Sequence, residues 1–312
     1  MSSLSAAVSR VRGREAAPRP QVRFRDTWWR HAVGIVAALV SLFPVWFLVS
    51  AAFNADDSVS GTSFLPTHPT TKNFTQILTN SVPDPMSTSN VESHFLRWFG
   101  NTLAIAAVTA VCTVLLGALA AYAFSRFRFK GRRVGMLFLL LVQMFPGLLL
   151  VVALYLIVLN VGGIFHFMGL NTYTGLVLVY LGGALGVNAW LLKGFFDTIP
   201  AELDESARVD GATPAQIFWG VVLPLTAPIL IVVGLISFVS TLNEFVLASA
   251  IMQTQDHFTL PVGMNGFIDQ NYGQRWGPFA AGCLIAAVPA AALFLSLQKW
   301  IVGGLTQGAV KG

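Results

Sequence analysis

The sequence predicts an all-α polytopic membrane protein with six transmembrane helices. Three observations carry that prediction. Of the 312 residues, 55% are hydrophobic and only 11% are charged, a balance seldom met in a soluble domain of this length. Six apolar runs each reach the roughly 20 residues that an α-helix, rising about 1.5 Å per residue, needs to cross a hydrocarbon core of about 30 Å. The basic residues gather on alternate connections.

The runs fall at residues 31–53, 100–124, 134–159, 172–192, 226–248 and 278–300. An even number of crossings leaves both termini on one side. Sixteen of the nineteen Lys and Arg residues lie before the first run, between the second and third, between the fourth and fifth, or at the C-terminal end, whereas the other faces hold only Lys72, Arg97 and Arg275. By the positive-inside rule, both termini face the cytoplasm of a cell whose inner membrane the chain crosses repeatedly. The net charge of +5 therefore reports orientation and affinity for the anionic lipid bilayer, and no nucleic-acid partner is expected.

Residues 1–30 form a basic cytoplasmic arm rich in Arg, Ser, Ala and Pro. The first run, 31–53, is too long for a cleaved signal and reads as a retained anchor. A polar extracytoplasmic loop follows at 54–97 with no repeating pattern. The remaining five helices form a core over 98–302, joined by short connections and carrying a cytoplasmic loop at 198–224. Residues 303–312 are a cytoplasmic tail. Cys112 and Cys283 both fall inside spans and read as packing residues.

Span two closes on "RFRFKGRR", from Arg126 to Arg133. It reads first as a cytoplasmic stop signal and second as a lipid-binding or partner-docking patch. In span three, Gln143, Pro146 and Gly147 interrupt the apolar run, and proline removes a backbone hydrogen bond, so a kink is expected. A gate hinge and a helix bent for packing both remain open. In span four, Gly182 and Gly186 stand four apart and permit close helix approach.

The segment "ELDESARVDGATPAQIFWGVVLPL", beginning at Glu202, crowds Glu202, Asp204, Glu205 and Asp210 between two apolar runs. It reads as two short helices joined by a tight turn. Pro200 suits a first helical position, and the carboxylates that follow complement the helix dipole. Gly211 marks the stop. Thr213, Pro214 and Gln216 then form a capping box, and the second helix runs to Pro224 and Pro228, which bend it into span five. Ser206, Ala207, Gly211 and Ala212 offer little bulk, so the elbow can press backbone-close into a groove on another protein, with Leu203 and Ala207 as a narrow apolar edge. A surface hairpin bracing the membrane interface is the alternative that physics leaves open.

Glu205, Ser206 and Ala207, then Gly211, then Val221, Leu223 and Pro224 resemble the Glu-Ala-Ala loop of binding-protein-dependent ABC importer permeases. Ser206 stands for Ala and Val221 for Ile. The resemblance covers about Trp98 to Val302 and implies the ABC type I importer permease fold. It further implies a coupling role, against a cytosolic ATPase, for Leu203, Glu205, Ser206, Ala207, Asp210, Gly211, Ala212, Leu223 and Pro224. The implied partners are a second permease subunit, a homodimeric ATP-binding subunit that binds ATP and Mg²⁺, and an extracytoplasmic sugar-binding protein. No cofactor is expected in this chain. "GLNTYTGLVLVYLGG", "YGQRWGPFAAG" and "QKWIVGGLTQGAVKG" are similar to the smaller permease subunits of maltose and maltodextrin importers, which implies that cargo.

Other chemistry is thinly represented. The chain has no Gly-x-x-x-x-Gly-Lys phosphate loop, no Gly-x-Ser-x-Gly elbow and no His-Glu-x-x-His pair, so hydrolysis is assigned to a partner and the chain is not expected to be an enzyme. Glu244, beside Asn243, is the one carboxylate inside a predicted span, near its outer end. With Gln143 and Pro146, these two are the candidates for a translocation path. A structural or gate-lining hydrogen bond is the favoured role for Glu244, and a secondary transporter using it as an ion site is the rival reading. In the last outer loop, Asn271, Tyr272 and Gln274 are candidate contacts with the solute-binding protein, as the resemblance implies.

Overall fold

The computed structural model describes residues 24–55, 65–83, 90–91, 94–268 and 275–309. Among the described residues the fold is all-α apart from one two-residue strand pair. It divides into two compact units at Leu48/Val49.

The first unit is most of α1 (Phe24–Ala52), whose stretch Trp28–Ala52 is long and apolar enough to cross a membrane. Its helix begins inside the expected arm of residues 1–30, because nothing between Phe24 and Ala32 breaks a helix, neither proline nor glycine. The rest of the arm lies outside the described residues.

In the second unit, the expected irregular loop 54–97 contains ordered elements. These are α2 (Lys72–Leu78) and an antiparallel pair, β1 (Val82–Pro83) with β2 (Asn90–Val91). Buried Asn73 fixes α2 by donating from Nδ2 to the carbonyls of Ala52 and Asn54, at 2.9 and 2.8 Å. The long α3 (Phe95–Arg126) follows.

Span three is broken rather than kinked. It comprises α4 (Arg132–Gln143) and α5 (Gly147–Ile164), separated by Met144–Pro146. Pro146 caps α5 in an extended conformation, and its ring disfavours helix at the residue before it. Of the two pieces only α5 meets the length and hydropathy of a single span.

α6 (Tyr173–Phe196) bends by 52° between its halves. The elbow comprises α7 (Ala201–Val209), α8 (Pro214–Ile217), a π turn at Phe218–Val222 and α9 (Leu223–Leu225). A 78° corner leads into α10 (Ala227–Leu242). The predicted fifth span, 226–248, therefore stops six residues early, and α11 (Val246–Ile251), α12 (Leu260–Asn265) and α13 (Trp276–Ala309) complete the chain. α13 extends into the expected tail 303–312. Among the described residues, four helices qualify as membrane spans by length and composition, and six do if each bent pair counts as one.

α3 is the central post, packed chiefly on α6 and α10. Its buried stripe of Trp98, Thr102, Ile105, Thr109, Thr113, Gly117 and Ala121 recurs every three or four residues. Lipid tails are as apolar as leucine, so such helices associate through close packing and interhelical hydrogen bonds. Two clusters result. One gathers Tyr122, Leu192, Phe196, Ile217, Phe218, Val222 and Val233 at the Arg126 end of α3. The other gathers Ile105, Val158, Leu176, Tyr180, Ala248 and Ile251 farther along.

Candidate functional site

The elbow is fastened on one side and open on the other. Pro200 is the N-cap of α7 rather than its first residue, so Glu202 and Asp204 fall in the first turn, as the dipole favours. The expected acidic patch is then divided. Glu202, Glu205 and Asp210 are exposed, whereas Asp204 is buried. Its Oδ2 lies 2.8 Å from Arg126 Nε, outside the angular limits of a hydrogen bond, and both side chains are almost fully covered. Arg126 Nη2 also donates to Ile199 O at 3.1 Å. The last residue of α3 thus grips both the start of α7 and the turn before it.

Three neighbours reinforce the hold. Tyr122 OH donates to Pro214 O at 3.4 Å. Ser125 Oγ donates to Asp197 Oδ1 at 2.7 Å, and Lys193 forms an ion pair with Asp197 Oδ2. Burial pushes the Asp197 carboxyl up, but hydrogen bonds from Lys193 and Ser125 prevail and hold it below the ordinary range.

The turn has the chemistry its sequence requires. Gly211 sits at φ +83°, the left-handed conformation that favours glycine after a helix. Thr213 and Gln216 complete a reciprocal capping box, with Thr213 N donating to Gln216 Oε1 at 2.8 Å and Gln216 N to Thr213 Oγ1 at 3.3 Å. At the far end, buried Thr226, at the 78° corner, donates from Oγ1 back to Val222 O and Leu223 O, at 2.9 and 3.0 Å.

Among the expected coupling residues, Glu205, Ser206, Asp210, Gly211 and Pro224 are exposed, as is Leu203. Ala207, Ala212 and Leu223 instead pack partly against the α3–α6–α10 cluster. Small side chains at 207 and 212 therefore serve the inward face, while those at 206 and 211 leave the outward face low. Asp204 and Arg126 escaped sequence reasoning. The usable signal was register, since Asp204 lies three residues before inward-facing Ala207.

The four path candidates converge differently. Gln143 Nε2 donates to Gly183 O at 2.8 Å, and Glu244 Oε2 accepts from Tyr180 OH at 2.7 Å. Positions 180 and 183 lie within a single turn of α6, so this turn contacts both the end of α4 and the break after α10. Glu244 is not inside a continuous helix. It occupies the break after α10 and caps α11, accepting from Leu247 N at 2.8 Å and Ala248 N at 3.0 Å. Asn243 bonds locally to Val239 O, and Pro146 stands at the N-cap of α5. Asn271, Tyr272 and Gln274 lie outside the described residues.

The segment before them is laced to the opposite end of α3. Trp98 Nε1 donates to Gln255 O at 2.8 Å, and Asn101 Nδ2 donates to Asp256 O and Phe258 O, each at 3.0 Å. A Cβ at Gly263 would lie 2.2 Å from the Trp98 ring, so only glycine permits this approach.

Comparison with known proteins agrees with this architecture. Residues 113–307 match the family described as binding-protein-dependent transport system inner membrane component. Maltose/maltodextrin transport system permease protein MalG of Vibrio parahaemolyticus is 37% identical, over 91% of this chain and 96% of that protein. Galactooligosaccharides transport system permease protein GanQ of Bacillus subtilis is also 37% identical, over 88% and 92%. MalG of Escherichia coli is 43% identical, over 70% and 73%. Among solved structures, a bacterial ABC transporter involved in the import of the acidic polysaccharide alginate superposes with a TM-score of 0.66 at 23% identity, covering 90% of this chain and 99% of that one. A bacterial alginate ABC transporter in complex with its alginate pentasaccharide-bound periplasmic protein gives 0.62 at 18%, over 88% and 94%. At these identities the structural likeness speaks for the fold.

Proposed function

Because the chain belongs to the family of binding-protein-dependent transport system inner membrane components, we propose that it is the maltose- or maltodextrin-conducting partner in a two-permease importer driven by a separate ATPase. The chain is a multi-pass inner-membrane permease subunit of an ABC sugar importer, a transport component and not an enzyme. The finer cargo reading draws support from the relatives named MalG, against a galactooligosaccharide relative of equal identity.

One observation carries the coupling role. The elbow leaves Glu205, Ser206, Asp210 and Gly211 open to solvent while its other side is locked into α3, α6 and α10. That is the form of a handle. The positive-inside rule supports placing it in the cytoplasm, where a homodimeric ATP-binding subunit carrying ATP and Mg²⁺ would hold it. Closure of the ATPase would push α7, and the Arg126–Asp204 pair would pass the displacement to α3 and the 78° corner to α10. Rocking of α3, α6 and α10 against a second permease would then alternate access for sugar delivered by an extracytoplasmic binding protein.

The ion-coupled rival gains nothing from Glu244, whose hydrogen bonds to Tyr180, Leu247 and Ala248 are those of a helix cap. The test has two arms. Cysteines at Glu205 and Asp210 should cross-link to a nucleotide-hydrolysing subunit in native membranes. A strain lacking the chain should lose uptake of labelled maltose and maltodextrin but keep that of galactooligosaccharide. Capture of no ATPase would sink the coupling role, and the reverse uptake pattern would sink the cargo.

A further inference from the structure

Beside the elbow, the first turns of α4 and the last turns of α6 enclose a groove of about 750 Å³. Its position is fixed by the chain Lys193–Asp197–Ser125, which ties this end of α6 to the Arg126 end of α3. The rim is basic, with Arg132, Arg133 and Lys193, and the wall is apolar, with Met136, Leu137 and Trp190. Lys193 is paired with Asp197, and Arg132 is close enough to help hold that carboxyl down, so one carboxylate faces three cations and the rim keeps a net positive charge. Neither arginine has a salt-bridge partner among the described residues.

The groove changes character along one helix. Within two turns α4 passes from paired guanidinium groups to exposed apolar side chains, Leu137 and Phe138 among them. That gradient matches a membrane boundary, where a phosphate meets water and acyl carbons do not. Trp190, half exposed on the facing helix, has the amphipathic ring that settles at the same depth. An acidic segment of a soluble partner would satisfy the arginines but leave the apolar wall uncovered.

We propose that this groove binds one anionic glycerophospholipid, its phosphate received by Arg132 and Arg133 and an acyl chain laid along Met136, Leu137 and Trp190. The arginine fork suits bidentate contact with phosphate oxygens, which a zwitterionic lipid offers without net charge. The "RFRFKGRR" run thus does more than mark a membrane boundary: its last two arginines form a site, while Arg128 and Lys130 do not line the groove. The inference requires the membrane setting but neither the sugar nor the ATPase.

The test is native mass spectrometry of the full chain, purified in detergent and titrated separately with phosphatidylglycerol, with phosphatidylcholine of identical acyl chains and with inorganic phosphate. The wild type should retain one phosphatidylglycerol in preference to phosphatidylcholine and should not retain phosphate. R132Q/R133Q should weaken that retention roughly tenfold or more, whereas R128Q/K130Q, equal in charge removed, should leave it within about twofold. Equal retention of the two lipids would overturn the proposal, as would equal losses in both double variants. Binding of free phosphate as tight as that of the lipid would overturn it too. These readouts involve no transport, so their failure is separable from failure of the importer reading.

Discussion

Arg126 Nε stands 2.8 Å from Asp204 Oδ2, seventy-eight residues away in sequence, and the pair joins the end of α3 to the first turn of the elbow. A buried ion pair of this kind is costly to half-remove, because the surviving charge has neither water nor a counter-ion.

Arg126→Ala should therefore destabilise the folded protein by about 3–5 kcal/mol, with Asp204→Ala falling in the same range. Replacing both, as Arg126→Met with Asp204→Leu, should recover most of the loss. Thermal unfolding of the four proteins in detergent gives the coupling, and additive losses would show that the two side chains act independently.

Gly211 carries the next expectation. A Cβ there meets nothing within 4 Å, so substitution brings no clash, only the backbone strain of φ +83°. Gly211→Val should cost about 1–2 kcal/mol and Gly211→Asn much less. Membrane insertion should survive in both, while sugar uptake per ATP hydrolysed falls sharply in the valine variant alone. Unchanged uptake in that variant would remove the turn from the coupling route.

At Glu244 the cap reading and an ion-site reading diverge. Glu244→Gln retains one acceptor for the α11 amides and should keep uptake within a few-fold of wild type, insensitive to a protonophore. Glu244→Ala and Tyr180→Phe should both lower stability, the first by more, since it leaves two backbone donors without their acceptor. Loss of uptake in Glu244→Gln at unchanged stability would favour ion coupling.

Acid should release the Lys193–Asp197–Ser125 tie. Because the folded carboxyl titrates below its unfolded value, its stabilising effect is complete above the ordinary aspartate range near 3.9 and disappears as pH falls through the depressed value. Melting temperatures of wild type and Asp197→Asn should differ at pH 7 and converge on acidification. A gap that widened in acid would contradict the assignment.

Much of this was readable from residue order. The all-α class followed from apolar run length, the elbow's turn from Gly211, and its restart from Thr213, Pro214 and Gln216. Local signals of that kind act within a few residues. The breaks at Met144–Pro146 and Asn243–Phe245 were harder, since hydropathy registers apolar character and ignores whether the backbone continues as one helix. Asp204 was hard to see for another reason: a carboxylate in an acidic first turn looks solvated until a distant arginine is known to cover it, and only its register with Ala207 hinted otherwise. The ordering of α2 depends likewise on Asn73 reaching carbonyls about twenty residues back.

Thr226 leaves the elbow little play. Its hydroxyl bonds back to two carbonyls of the preceding helix, and Val222 and Val233 on either side are fully enclosed, so the corner is held by local hydrogen bonds and by packing. In the proposed coupling, such a corner would pass on a displacement of α7 and absorb little of it. An inserted or deleted residue between Phe218 and Thr226 would rotate everything beyond it out of phase. If the elbow is the coupling device proposed above, its transmission to α10 rests on the nine consecutive residues Phe218 to Thr226.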